Sequence, residues 1–102
     1  MNKHMLQQAQ KLQAQLLKAQ EELANLTVEA SSGGGAVTVV MNGQQQIQSV
    51  KISPEVVDPE DVEMLEDMIT AAVSQGMKKA KELHDGEMAK LTGQMGLPPG
   101  LL

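Results

Sequence analysis

The apolar positions Met5, Ala9, Leu12, Leu16, Ala19, Leu23 and Leu26 recur at alternating spacings of four and three. That is a heptad seam, the pattern of a helix that buries one narrow stripe. The residues between them are mostly glutamine, lysine, alanine and glutamate, with no glycine or proline, and all are good or fair helix formers. A first helix is predicted over about residues 2–26, roughly 38 Å long at 1.5 Å per residue. So long a rod outreaches any body the remaining chain can build, so its N-terminal half is expected to project or to pair with another helix. Ala9 and Ala19 leave room on the seam for close approach.

Beyond the helix the period changes to two. Strands are predicted at Leu26 to Ser31, Ala36 to Met41 and Gln46 to Ile52, the second being the richest in β-branched residues. Gly33, Gly34 and Gly35 form a turn between the first two. Asn42-Gly43 marks a hairpin, because both residue types tolerate the positive φ of a type I′ turn. With a loop of two or four residues, Val37, Val39 and Met41 share a face with Gln48, Val50 and Ile52. The opposite face then carries Val40 and Ile47 beside Thr38, Ser49 and Lys51. Both faces are partly apolar, so one is expected to pack on a helix and the other to meet a partner.

A second helix is predicted over about residues 59–91. Asp58 suits its N-cap and Pro59 its first position, and Glu60, Asp61 and Glu63 suit the positive end of its dipole. Val62, Leu65, Ile69, Ala72, Val73, Gly76, Ala80 and Leu83 make its apolar stripe, widened by Met64 and Met68. Gly76 on the stripe costs about 1 kcal/mol against alanine, which a closely packed neighbour would explain. His84-Asp85-Gly86 is a candidate end or kink, with Glu87 to Leu91 continuing the helix. Residues 92–102, rich in glycine and proline without a period, read as a flexible tail. The class is α+β: a small α-β-β-β-α subunit with a three-stranded antiparallel sheet and two long helices, forming a single domain over 1–91.

Composition sharpens this picture. The chain has 102 residues, 41% of them apolar, with eight methionines and no aromatic residue, cysteine or arginine. A core this small and without rings is expected to be completed by a second copy, the methionines filling gaps. The absence of cysteine excludes thiol catalysis, disulfides and thiolate metal sites. No apolar stretch approaches the ~20 residues of a membrane-spanning helix, and MNKHMLQQAQ lacks the apolar core of a signal peptide. A cytoplasmic protein is expected, with no membrane partner.

The net charge of −5 is unevenly placed. Residues 1–20 carry Lys3, Lys11 and Lys18 and no acid, whereas residues 54–67 hold seven acids and no base. Those acids sit at a helix N-terminus, where they favour the dipole without any ion, and no calcium-loop spacing is present. His4 and His84 lie on polar helical stretches with no acid spaced to orient them. The triple glycine lacks the Lys-Ser/Thr of a phosphate loop, and no serine has a histidine and acid set. No catalytic residue, metal site or cofactor is expected, and the chain does not read as an enzyme.

The remaining constellation is cationic. His4, Lys11 and Lys18 are seven apart, one stripe beside the seam, with Lys3 near its start. Lys78, Lys79 and Lys81 cluster on the second helix. Such lysines either solvate helix faces or contact phosphates, and a two-fold dimer would double the contact. Without aromatic rings to stack bases or arginine to read guanine, DNA binding would be to duplex, phosphate-led, weakly selective and steeply salt-dependent.

The stretch GGGAVTVVMNGQQQIQSVKISPEVVDPEDVEMLEDMITAAV, from Gly33 to Val73, closely resembles the YbaB/EbfC family of bacterial nucleoid-associated proteins. The flanks AQEELANLTVEA and MAKLTGQMGLPPGLL agree with it, so the resemblance covers essentially the whole chain. It implies a homodimer with paired helices projecting like tweezers. It also implies a cytoplasmic, nucleoid location and low-specificity binding of double-stranded DNA that affects nucleoid organisation and gene expression. Carried over by residue, it makes Lys3, His4, Lys11 and Lys18 the DNA-contacting candidates, followed by Lys78, Lys79 and Lys81. Met5, Ala9, Leu12, Leu16, Ala19, Leu23, Val37, Val39, Ile69 and Val73 are the dimer or packing candidates. The alternative is a dimeric protein-interaction module without direct DNA binding, in which the seam and the second helix dock other protein partners.

Overall fold

The computed structural model describes residues 2–94 and Gly96. In chain order it contains α1 (Lys3–Asn25), β1 (Thr27–Ser32), β2 (Val37–Asn42), β3 (Ile47–Ile52) and α2 (Val62–Gln94). The expected α-β-β-β-α order is present, and the strands form one antiparallel sheet in the order β1-β2-β3.

The core lies where α2 crosses β1 and β2. Val37, Val39 and Met41 point from β2 onto Ala72 and Ala80, with Val28, Leu65, Met68, Ile69 and Val73 around them. Burying each of the larger side chains contributes about 1.5–3 kcal/mol. Ala72, Gly76 and Ala80, one helical turn apart, are all buried and let the helix axis come close to the sheet. A Cβ on Gly76 would stand 2.9 Å from Met41 Sδ, so the glycine on the apolar stripe answers to a packed neighbour. Val37 and Val39 are thus buried within this chain, and Ile69 and Val73 are half-buried against the same core.

Two turns differ from expectation. Neither Asn42 nor Gly43 has positive φ, so the hairpin is not type I′; Gln45 carries the positive φ instead, at 60°. Gln45 N donates to Asn42 O and Asn42 N to Gln46 O, both at 3.0 Å, a three-residue loop closed by a left-handed residue. A bulge between Val40 and Met41 then shifts the register. Val37 still faces Ile52 and Val39 faces Val50, but Met41 stands opposite Ile47 rather than Gln48. The bulge therefore takes Ile47 off the Val40 face, because one extra residue reverses the alternation.

Both ends of α2 also move. Asp58 does not cap it: Asp58 Oδ1 accepts from Glu60 N at 2.9 Å and Asp58 O from Asp61 N at 3.0 Å, forming a separate turn over Pro59. Asp61 is the cap, its Oδ1 accepting from Met64 N at 3.3 Å, so the helix starts three residues later than predicted. At the other end α2 runs unbroken through His84-Asp85-Gly86 and past Leu91 to Gln94. Leu91 and Thr92 are buried, and Thr92 Oγ1 donates to Met88 O at 2.8 Å. Tertiary support there outweighs the weak propensity of Gly86 and Thr92. Of the expected tail, Met95 and residues 97–102 lie outside the described residues.

Candidate nucleic-acid interface

α1 is capped by Asn2, whose Oδ1 accepts from Met5 N at 2.7 Å. Its partner is α2 of the same chain. Leu12, Leu16 and Ala19 are half-buried and Leu23 is fully buried, whereas Met5 and Ala9 at the far end are exposed. From Leu12 to Leu23 the seam is thus at least half covered within one subunit, whereas Leu26 is exposed. The grooves it forms with α2 are lined by Leu12 and Gln94 on one side and by Ala19 and Leu91 on the other. Gln15 sits in both grooves, and its Oε1 is buried without a hydrogen-bond partner among the described residues. The two helices run antiparallel as an arm, and the molecule measures 68 × 20 × 17 Å.

Lys3, His4, Lys11 and Lys18 are all exposed along this arm. Among the described residues none of them makes an ion pair. His4, Lys11 and Lys18 drift only ~20° per seven-residue step, so they stay on one flank of the helix. Lys11 and Lys18 stand roughly 10 Å apart along the axis. The second predicted cluster is divided by its contacts. Residues 78, 79 and 81 span an arc of about 160° on α2, because each residue step turns the helix by about 100°. Lys79 is moreover engaged with the body: its Nζ donates to Glu29 O of β1 at 2.8 Å. Lys81 faces a separate cleft with Gln20, Gln44, His84 and Asp85.

One cation escaped the sequence reading. Lys90 lines the same groove as Lys18, beside Glu22 and Glu87, and is bound to Glu87 Oε1 at 3.4 Å. It lies 72 residues from Lys18 in the sequence, so only the antiparallel pairing of the helices brings them together. His84 likewise has an acid after all, its Nδ1 lying 3.1 Å from Asp85 Oδ1, though both are solvent-facing. Among the described residues no group of three histidine or acidic side chains could hold a metal ion, and no helix is long and apolar enough to cross a membrane.

The charge is polarised along the long axis. The acids Asp61, Glu63, Glu66 and Asp67 cluster around the start of α2. From Glu63 to Lys90 the helix rises roughly 40 Å, about five Debye lengths at physiological salt. The acidic end therefore exerts almost no field on a polyanion held at the arm, and the net charge of −5 is a poor guide to what the arm can bind.

An acidic body carrying an extended lysine-flanked helix pair has a family to match. The model of the YbaB/EbfC DNA-binding family covers residues 1–95. The chain belongs to that family. It is a family of DNA-binding proteins and not of enzymes. Among YbaB/EbfC relatives, a nucleoid-associated protein of Pelotomaculum thermopropionicum is 54% identical over 94 residues, covering 92% of this chain and 90% of its own. One from Acetivibrio thermocellus is 53% identical over 98 residues, with 96% and 87% covered. One from Chloroflexus aurantiacus is 50% identical over 91 residues, with 89% and 91% covered. The fold is also that of an uncharacterized Helicobacter pylori protein whose crystal structure superposes with a TM-score of 0.76. It is 22% identical in sequence, and the match covers 93% of this chain and 97% of that one.

Proposed function

We propose that the chain is a nucleoid-associated protein that binds duplex DNA through phosphate contacts from Lys3, Lys11 and Lys18, with His4 on the same flank, and with little sequence preference. The observation that carries this is the lysine-bearing flank of α1, unpaired among the described residues and remote from the acids at the start of α2. Duplex DNA presents one charge per ~1.7 Å of axis, so a stripe of lysines finds phosphates wherever it lands. Contacts to phosphate position a protein without reading bases. The chain has neither arginine nor aromatic residues to add readout or stacking. A nucleoid location and effects on nucleoid organisation and gene expression follow from the same reading.

The active unit is a homodimer. Its support comes from β3, the edge strand that α2 leaves uncovered: Ile47, Val50 and Ile52 are 50%, 43% and 37% exposed. A second copy laid on this strand would bury them and double the number of arms. The test is anisotropy titration of two unrelated duplexes over a salt series, with light scattering of the free protein. Equal affinities, a steep fall with salt and a dimer mass are expected. No duplex binding at micromolar protein and low salt would instead favour a module that docks other proteins.

A further inference from the structure

α1 is held by two different kinds of contact. Along the arm, Leu12, Leu16 and Ala19 lie against α2, an apolar contact without directionality that tolerates sliding and rolling. At the other end, the β2–β3 hairpin aims donors at carbonyls around the end of α1, where a helix leaves its last four unsatisfied. Gln44 Nε2 donates to Gln20 O at 2.7 Å. Gly43 N donates to Leu23 O at 2.9 Å and Leu26 O at 3.0 Å, and Asn42 Nδ2 to Ala24 O at 3.3 Å. Asn42 is buried and its amide is fully engaged. Its Nδ2 also donates to Gln46 Oε1 at 2.8 Å, and its Oδ1 accepts from Gln44 N at 2.9 Å and Gln46 N at 3.0 Å. Gly43 is pressed so close that a Cβ there would lie 2.9 Å from Leu23 O and 2.7 Å from Leu23 Cδ2.

We propose that the Asn42–Gln46 hairpin is the clamp that sets the axial register and roll of α1, with Asn42 and Gly43 as positioning residues for the phosphate-facing lysines. This rests on the reading that the α1 lysines contact duplex DNA. The physical ground is that hydrogen bonds are directional where the seam is not. A register slip of one residue turns the lysine stripe by about 100°, enough to take it off the duplex. The glycine of the Asn-Gly pair thus serves contact with a helix, not the conformation of the turn.

The absence of native cysteine makes a label test clean. Gln10→Cys on α1 and Ser74→Cys on α2, both exposed, carry a nitroxide pair, diluted with unlabelled chain. Gly43→Ala pushes on Leu23. Asn42→Asp keeps the oxygen that orders the turn but turns a second oxygen on Ala24 O. Gln44→Ala removes one exposed bond and leaves the fold intact. Ile69→Val, in the core away from α1, is the control for lost stability.

The electron–electron distance is expected to shift or broaden in Gly43→Ala and Asn42→Asp, less so in Gln44→Ala, and not in Ile69→Val. The slope of log affinity against log salt should shrink in magnitude by about 1 for each lysine displaced. A smaller folded fraction lowers affinity but leaves that slope alone. An unchanged distance in the folded variants overturns the clamp, whatever the DNA result, and Gln44→Ala serves if the others do not fold. A shifted distance with an unchanged slope overturns the positioning role. Failure of the wild-type chain to bind duplex overturns the lysine reading itself, and with it the positioning role, while the distances still report on the clamp.

Discussion

The two helices of this molecule are of similar regularity and opposite purpose. The middle of α2 presses Ala72, Gly76 and Ala80 into the sheet, whereas only Leu23 is fully buried in the whole of α1. One helix is held by packing over its length; the other is held at its last turn and leans on a seam. Stability and binding are therefore separable, because the residues that hold the fold and those that face solvent charge lie on different stretches.

The largest effect should come from the packed region. Met41→Ala removes a fully buried side chain from beneath Gly76 and is expected to cost about 3 kcal/mol by urea denaturation, with an unchanged salt slope for DNA in the remaining folded protein. Next, replacing Lys3, Lys11 and Lys18 together with glutamine should weaken all duplexes alike by about ten- to a hundredfold and cut the salt slope by about 3 for each arm on the DNA. Its unfolding free energy should stay within about 0.5 kcal/mol of the parent. A stability loss comparable to that of Met41→Ala would break the division between body and arm.

The caps give a finer contrast. Asp61→Ala, at the packed start of α2, should lower global stability by about 1 kcal/mol. Asn2→Ala, at the free end of α1, should leave global unfolding unchanged and instead speed amide hydrogen exchange in the first turn of that helix. The smallest effect should follow neutralisation of Glu63, Glu66 and Asp67 by their amides. Those charges lie several Debye lengths from the arm, so duplex affinity at physiological salt should change by less than about twofold. A large gain would mean that DNA reaches the acidic end.

Much of this was legible without a fold. The heptad seam of α1, the two-residue period of β2 and the acidic opening of α2 specified element type and order, because local periodicity is the main determinant of secondary structure. His4, Lys11 and Lys18 could be placed on one helix flank from spacing alone, with Lys3 near its start. Turn detail was harder. Asn42-Gly43 marked a hairpin, yet its geometry was decided by how closely Leu23 packs on Gly43 and by the bulge that sets Ile47 against Met41.

By itself, then, the sequence determined the α-β-β-β-α order, the absence of thiolate chemistry and the segregation of acid from lysine. Only the tertiary structure decided that the α1 seam is satisfied by α2 of the same chain, that α2 continues through Gly86 to Gln94, and that Lys90 joins Lys18 while Lys79 is tied to β1. The reason is physical. Period and capping act within a few residues, whereas a partner for a seam, a carbonyl for a lysine or a neighbour for a glycine comes from sequence-distant chain that only folding brings within reach.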